Sequence, residues 1–169
     1  MATKKSTVIL FGILVVLAWV LGSPILAGAE TKNFKYFSYP SKVETFLVGD
    51  VDGHRVSFSV GKTFFLLEDG DIAVSNQVVT SDMIKFLGSW NQYGIWKFTD
   101  GSTITLKVQG TLEEGGKASI KSEIIKGTGR FEGAKGSSSS KMKYLPMEKG
   151  DIAAVGYGEG TLTYTLPKK

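Results

Sequence analysis

From residue 30 onward, apolar and polar side chains alternate in steps of two. Val56, Phe58 and Val60 are separated by Ser57 and Ser59. Ile104, Leu106 and Val108 are separated by Thr105 and Lys107, and Leu162, Tyr164 and Leu166 by Thr163 and Thr165. A period of two puts alternate side chains on opposite faces of a strand. No long stretch keeps apolar residues at the i, i+3, i+4, i+7 spacing of an amphipathic helix. The pattern predicts an all-β domain.

Turn chemistry divides that domain into hairpins. Asp-Gly occurs at Asp52-Gly53, Asp69-Gly70 and Asp100-Gly101, each between β-like runs. Glycine accepts the positive φ that such turns demand. The apolar faces then select the loop length. With a three-residue loop at Thr99–Gly101, Trp96 pairs with Ile104 and Phe98 with Ser102. A two-residue loop would set apolar against polar, because a slip of one residue turns every side chain over. The same rule pairs Leu66 with Ile72 and Phe64 with Val74 across Glu68–Gly70. It also pairs Val48 with Val56 and Phe46 with Phe58 across Val51–Gly53. A fourth connection falls at Leu112–Gly116.

Strands are therefore expected near 42–50, 54–61, 63–68, 71–80, 91–99, 102–111, 117–126 and 152–166, with a short one near Phe34–Ser38. The run Gly136–Ser140 reads as a flexible loop before the last strand. About eight antiparallel strands joined by hairpins favour a closed barrel, which leaves no bare edge. A two-sheet sandwich is the alternative. A barrel of this size holds packed side chains or one small ligand.

The start of the chain follows other rules. Lys4 and Lys5 precede an almost unbroken apolar run, Thr7–Leu21, then Ser23-Pro24 and the small-residue pattern Ala27-Gly28-Ala29. This order predicts a signal peptide over residues 1–29, cleaved to leave one domain over 30–169, exported to the periplasm or secreted. No stable membrane insertion is expected after cleavage. Losing Lys4 and Lys5 and no acid takes the formal charge from +4 to +2. A near-neutral domain lacks the dense basic patch that nucleic acid requires. An outer-membrane barrel would also alternate, but the end Leu166-Pro167-Lys168-Lys169 lacks a terminal aromatic and no lipid-facing girdle is evident.

The chain has no cysteine and one histidine, which leaves a zinc or transition-metal site almost without ligands. The glycine-rich segment Gly127-Thr128-Gly129-Arg130-Phe131-Glu132-Gly133-Ala134-Lys135-Gly136 lacks the spacing of a dinucleotide site. Its glycines instead suit a sharp turn and a close strand approach, with Phe131 inserted as a plug. That segment is similar to the GTG-x-F-x-x-A-x-G stretch of allene oxide cyclase-like and dirigent-like barrels. Phe98–Ile104, Lys117–Ile125 and Gly160–Tyr164 fit the same layout, and the resemblance spans Trp90 to Leu166. It is nearest to small exported bacterial members of the superfamily. It implies an eight-stranded antiparallel barrel whose lumen takes a small, mostly apolar molecule, with no cofactor. Homodimers or homotrimers are implied too. Some members catalyse a cofactor-free cyclisation; others hold an intermediate in one pose. The sequence leaves open whether this chain is an enzyme.

Candidate residues follow. The resemblance implies a catalytic glutamate on the first barrel strand, and Glu44 is the candidate. In the expected register it shares a face with Phe46, Val56 and Phe58, where an acid in an apolar lumen would have a raised pKa. His54 lies on that face at the hairpin mouth, where it could bind ligand or move a proton. Phe58, Trp96, Phe98 and Phe131 are expected around the ligand. The rival class is a structural or interaction module that oligomerises through its outer faces.

Overall fold

The computed structural model describes residues 28–168. The expected signal segment, up to residue 27, lies outside them. The described chain forms eight antiparallel strands: β1 (Glu30–Leu47), β2 (His54–Leu67), β3 (Ile72–Ile84), β4 (Leu87–Phe98), β5 (Thr103–Glu113), β6 (Lys117–Thr128), β7 (Lys135–Tyr144) and β8 (Gly156–Thr165). Each pairs with the next, and β8 returns to β1, closing a barrel rather than a sandwich. The closing ladder runs from Glu30 opposite Tyr164 to Ser38 opposite Gly156.

Two hairpins have the expected register. Phe64 faces Val74 and Leu66 faces Ile72, while Trp96 faces Ile104. Gly70 and Gly101 hold the left-handed position of their loops, at φ +87° and +84°. The first hairpin differs by two residues: Phe46 pairs with Val56 and Glu44 with Phe58. The backbone N–H of Val48 bonds to the His54 carbonyl at 3.1 Å, so the loop is longer than expected. An even shift leaves the faces unchanged.

The count of eight strands conceals two errors that cancel. The expected strands 54–61 and 63–68 are one strand, β2, running straight through Gly61. A Cβ there would lie 2.6 Å from the Tyr39 carbonyl oxygen, so the close approach of β1 explains the glycine. The expected flexible loop at 136–140 is β7, paired along both edges. Serine has no strong apolar signature, so alternation could not reveal it. On the first strand, a register shift between Pro40 and Lys42 joins the short segment at 34–38 to the next.

The continuity of β2 decides which side faces inward. Thr63, Phe65 and Leu67 are buried, so Ser57 and Ser59 share the inner face and Val56 and Phe58 face out. The core lies inside the barrel: Phe34, Tyr36, Phe65, Trp90, Trp96, Phe98, Ile104, Leu106, Ile124, Phe131 and Leu162 are all buried. On β8, Gly158 and Gly160 leave room for the Tyr36 and Phe34 rings; a Cβ would approach them to 2.5 and 2.7 Å.

Candidate functional site

The barrel is closed at one end and open at the other. The β6–β7 connection closes the first. A Cβ on Gly127 would come within 1.9 Å of the Phe131 carbonyl oxygen, and Gly129 sits at φ +62°. These two glycines let the chain fold back and drive Phe131 inward, as the sequence predicted. Phe131 packs on Phe98 at 4.8 Å between ring centroids and on Tyr164 at 5.5 Å. The Arg130 guanidinium covers this plug, 4.8 Å from the Phe98 centroid and 4.9 Å from that of Phe131. It is held by Asp71 at 2.5 Å and Asp100 at 3.4 Å. A backbone N–H bond from Ser102 and the neighbouring Arg130 charge both keep the Asp100 carboxyl below its ordinary range.

Above the plug lies a cavity of about 190 Å³. Its aromatic wall is Phe34, Phe65, Trp90 and Trp96, extended by Leu106 and Val108. Phe34 and Trp96 meet edge to face at 5.2 Å. A polar strip crosses it. Gln77 accepts from Thr63 at 3.0 Å and from Gln92 at 2.7 Å, and donates to Ser38 at 2.8 Å. Facing it, Ser122 bonds Ser138, and the Tyr36 hydroxyl lies 3.3 Å from Ser140. Burial pushes the Tyr36 phenol up to about 12, partly offset by that serine. The cavity-lining side chains carry no formal charge. They offer neutral hydrogen bonds and ring faces, and Tyr36 stays protonated across ordinary pH.

The open end is framed by the β1–β2 and β3–β4 hairpins. His54 joins them, with Nδ1 2.5 Å from Asp50 and Nε2 2.9 Å from Asp82. A neutral imidazole donates from one nitrogen only, so the imidazolium alone satisfies both carboxylates. The Asp50 contact, and then Asp82, raises the His54 pKa; Asp50 is lowered in turn. Among the described residues no three of His, Cys, Asp and Glu gather as a metal site would require. A wider, more open depression of about 1070 Å³ lies among solvated side chains including Lys121, Lys141 and Glu159. It lacks the enclosure of a small-molecule site.

The sequence-predicted residues thus separate. Trp96 lines the cavity, and Phe98 and Phe131 form the plug beneath it. His54 stands at the mouth but on the outer face, in step with Val56 and Phe58 and opposite exposed Ile84, and it does not line the cavity. Glu44 and Phe58 are corrected: both point outward, Glu44 exposed and paired with Lys42 at 2.5 Å, Phe58 39% exposed. Splitting β2 at Gly61 hid the parity that connects Phe58 to the outer face. The sequence reading missed Gln77 and Gln92. Their inward parity with Ser75 and Trp96 was the available signal.

The chain folds as a closed eight-stranded antiparallel barrel with one plugged end and a neutral, partly aromatic lumen, a fold it shares with dirigent proteins of known structure. Two solved structures share the fold. The pterocarpan synthase dirigent protein PsPTS1 superposes with a TM-score of 0.54 at 13% identity, covering 85% of this chain and 99% of that one. The pterocarpan synthase dirigent protein GePTS1 gives 0.50 at 14% identity, covering 84% and 91%. No family model matches the chain, and no curated protein does.

Proposed function

We propose that this chain is an exported barrel that binds a small, mostly apolar molecule in its lumen and holds it in one pose. The observation that carries the reading is the cavity, closed below by Phe131, walled by aromatic rings and crossed by neutral hydrogen-bonding groups. Small-molecule sites combine an apolar lining with a few placed polar groups in this way. At about 190 Å³ it is smaller than the roughly 300–1,000 Å³ of typical sites, so the ligand is small or partly held. The two solved neighbours are described as pterocarpan synthases. A cyclisation or isomerisation here would be promoted by confinement and orientation, since the cavity wall supplies no carboxylate, imidazole or amine.

The test is binding. Native mass spectrometry of protein purified from its own host should detect a bound small molecule, and small apolar dyes should quench Trp90 and Trp96 fluorescence. Val79→Trp, which fills the lumen from β3, should weaken dye binding at least tenfold with the fold retained. A lumen that takes no probe, or binding indifferent to Val79→Trp, would defeat the reading.

A second reading has its own observation. The outer faces of β1–β4 carry Phe37, Phe58, Phe64, Leu66, Ile72, Val78, Tyr93 and Ile95, all exposed. Phe37, Phe64 and Val74 lie in one register row, and Val60, Val78 and Tyr93 in another. The outer faces of β5–β7 instead expose Lys107, Gln109, Lys121, Glu123 and Lys141. A membrane barrel needs an apolar band all the way round; an apolar patch on one side suits a second copy of the chain. Assembly into a homodimer or homotrimer through β1–β4 is compatible with a ligand in the lumen.

A further inference from the structure

Arg55 stands at the open end of the barrel. Its register partners are Leu47 on β1 and Met83 on β3. Paired residues share a face of the sheet, and Met83 lines the cavity. Arg55 therefore sits on the inner face at the mouth. Its guanidinium lies over the Phe86 ring, 4.2 Å from the centroid.

The support beneath it is strained. Lys85 and Phe86 form the two-residue β3–β4 turn with φ at +50° and +68°. A turn of this kind favours Asn-Gly, and a bulky residue at positive φ is held only by its surroundings. Here the Lys85 N–H donates to the Gly53 carbonyl at 3.1 Å, and its ammonium lies 3.6 Å from Asp52.

Despite this support, Arg55 makes no ion pair among the described residues. Its Nε is buried and has no hydrogen-bond partner among the described residues. Asp50 and Asp82 both pair with His54, and the exposed Asp52 lies 3.6 Å from Lys85, so no carboxylate pairs with Arg55. A buried charged donor without a partner is costly, more so than a neutral one, and native structures rarely keep one without reason. A cation at the mouth of a neutral, aromatic cavity has the complementarity of an amphiphile.

We infer that Arg55 is an anion-binding residue, and that the molecule held in the lumen is a small amphiphile with an apolar body and one carboxylate at the mouth. The inference rests on the lumen reading and adds the charge of the occupant. A planar guanidinium suits a carboxylate because its N–H donors match the two oxygens.

The test compares 3-phenylpropanoate with its neutral amide by titration calorimetry. The wild-type protein should bind the carboxylate about tenfold more tightly, as expected for one charge-assisted hydrogen bond. Added salt should weaken the carboxylate alone. Arg55→Gln should abolish the preference while keeping amide affinity, and Arg55→Lys should keep part of it. Equal affinities in the wild type, or a preference that survives Arg55→Gln, would overturn the anion site and leave the lumen reading intact. Failure of both probes to bind would overturn both. The wild-type comparison and its salt dependence decide the matter even if the variants do not fold.

Discussion

His54 ties two hairpins together through opposed carboxylates, and the tie depends on its proton. The folded pKa is raised above the ordinary 6.5, first by Asp50 and then by Asp82. A base with a raised folded pKa stabilises the fold fully below its unfolded value and loses that contribution as pH rises through the folded value. The melting temperature should therefore fall from about pH 6 to pH 9 more steeply in the wild type than in His54→Gln. Parallel slopes in the two proteins would refute the tie. Gly110 offers a second prediction at this scale. A Cβ there would lie 2.0 Å from the Trp90 ring, so Gly110→Ala should cost about 1–3 kcal/mol by overpacking. Urea unfolding measures it, and near-UV circular dichroism should report a displaced Trp90. Individual side chains were legible in the sequence where one strong hairpin fixed the parity, as for Trp96. Glu44 was not, because the shift at Pro40 and the unbroken course of β2 both decide its side, and neither has a local signature.

The β3–β4 turn and the β6–β7 plug are the two elements whose backbone does unusual work. Lys85 adopts positive φ, which asparagine tolerates better. Lys85→Asn should raise stability by about 0.5–1 kcal/mol, the usual scale of an improved turn, since the exposed Asp52 pair is worth little. Chemical denaturation would show it as a higher midpoint with unchanged slope. The plug acts in the opposite direction. Phe131→Ala should cost about 3–5 kcal/mol and admit solvent from below, seen as a red shift of Trp96 emission. A smaller loss with unshifted emission would mean that Tyr164 and Phe98 close the barrel unaided. Elements marked by glycine or by alternating apolar residues were readable before the structure: the loops at Gly70 and Gly101, and Phe131 itself. The serine-rich β7 was not, because its pairing is specified by β6 and β8 rather than by its own side chains.

At the scale of the whole molecule, the two sides of the barrel wall have different tasks. The inside is packed around a small cavity, and the outer face of β1–β4 exposes a group of large apolar side chains. Sedimentation equilibrium should find an oligomer that Phe37→Ser combined with Phe64→Ser disperses. Ligand binding should persist, because both side chains point away from the lumen. A wild-type monomer at all concentrations would reject assembly through this face. The barrel itself was legible in the sequence from hairpin chemistry, but the apolar outer patch was not. An apolar stripe on a strand does not say which side of a closed sheet it occupies. The meeting of β1 and β8 has a further consequence, for the order of folding. The strand that opens the barrel is completed only by the one that ends it, in a ladder joining residues such as Thr31 and Thr163. Contacts so distant along the chain close slowly, because a long loop must be ordered before they form. Until β8 arrives, β1 and β7 each present a bare edge. A folding chain of this design is most vulnerable to aggregation just before its last strand docks, so refolding yield should depend more steeply on protein concentration than equilibrium stability would suggest.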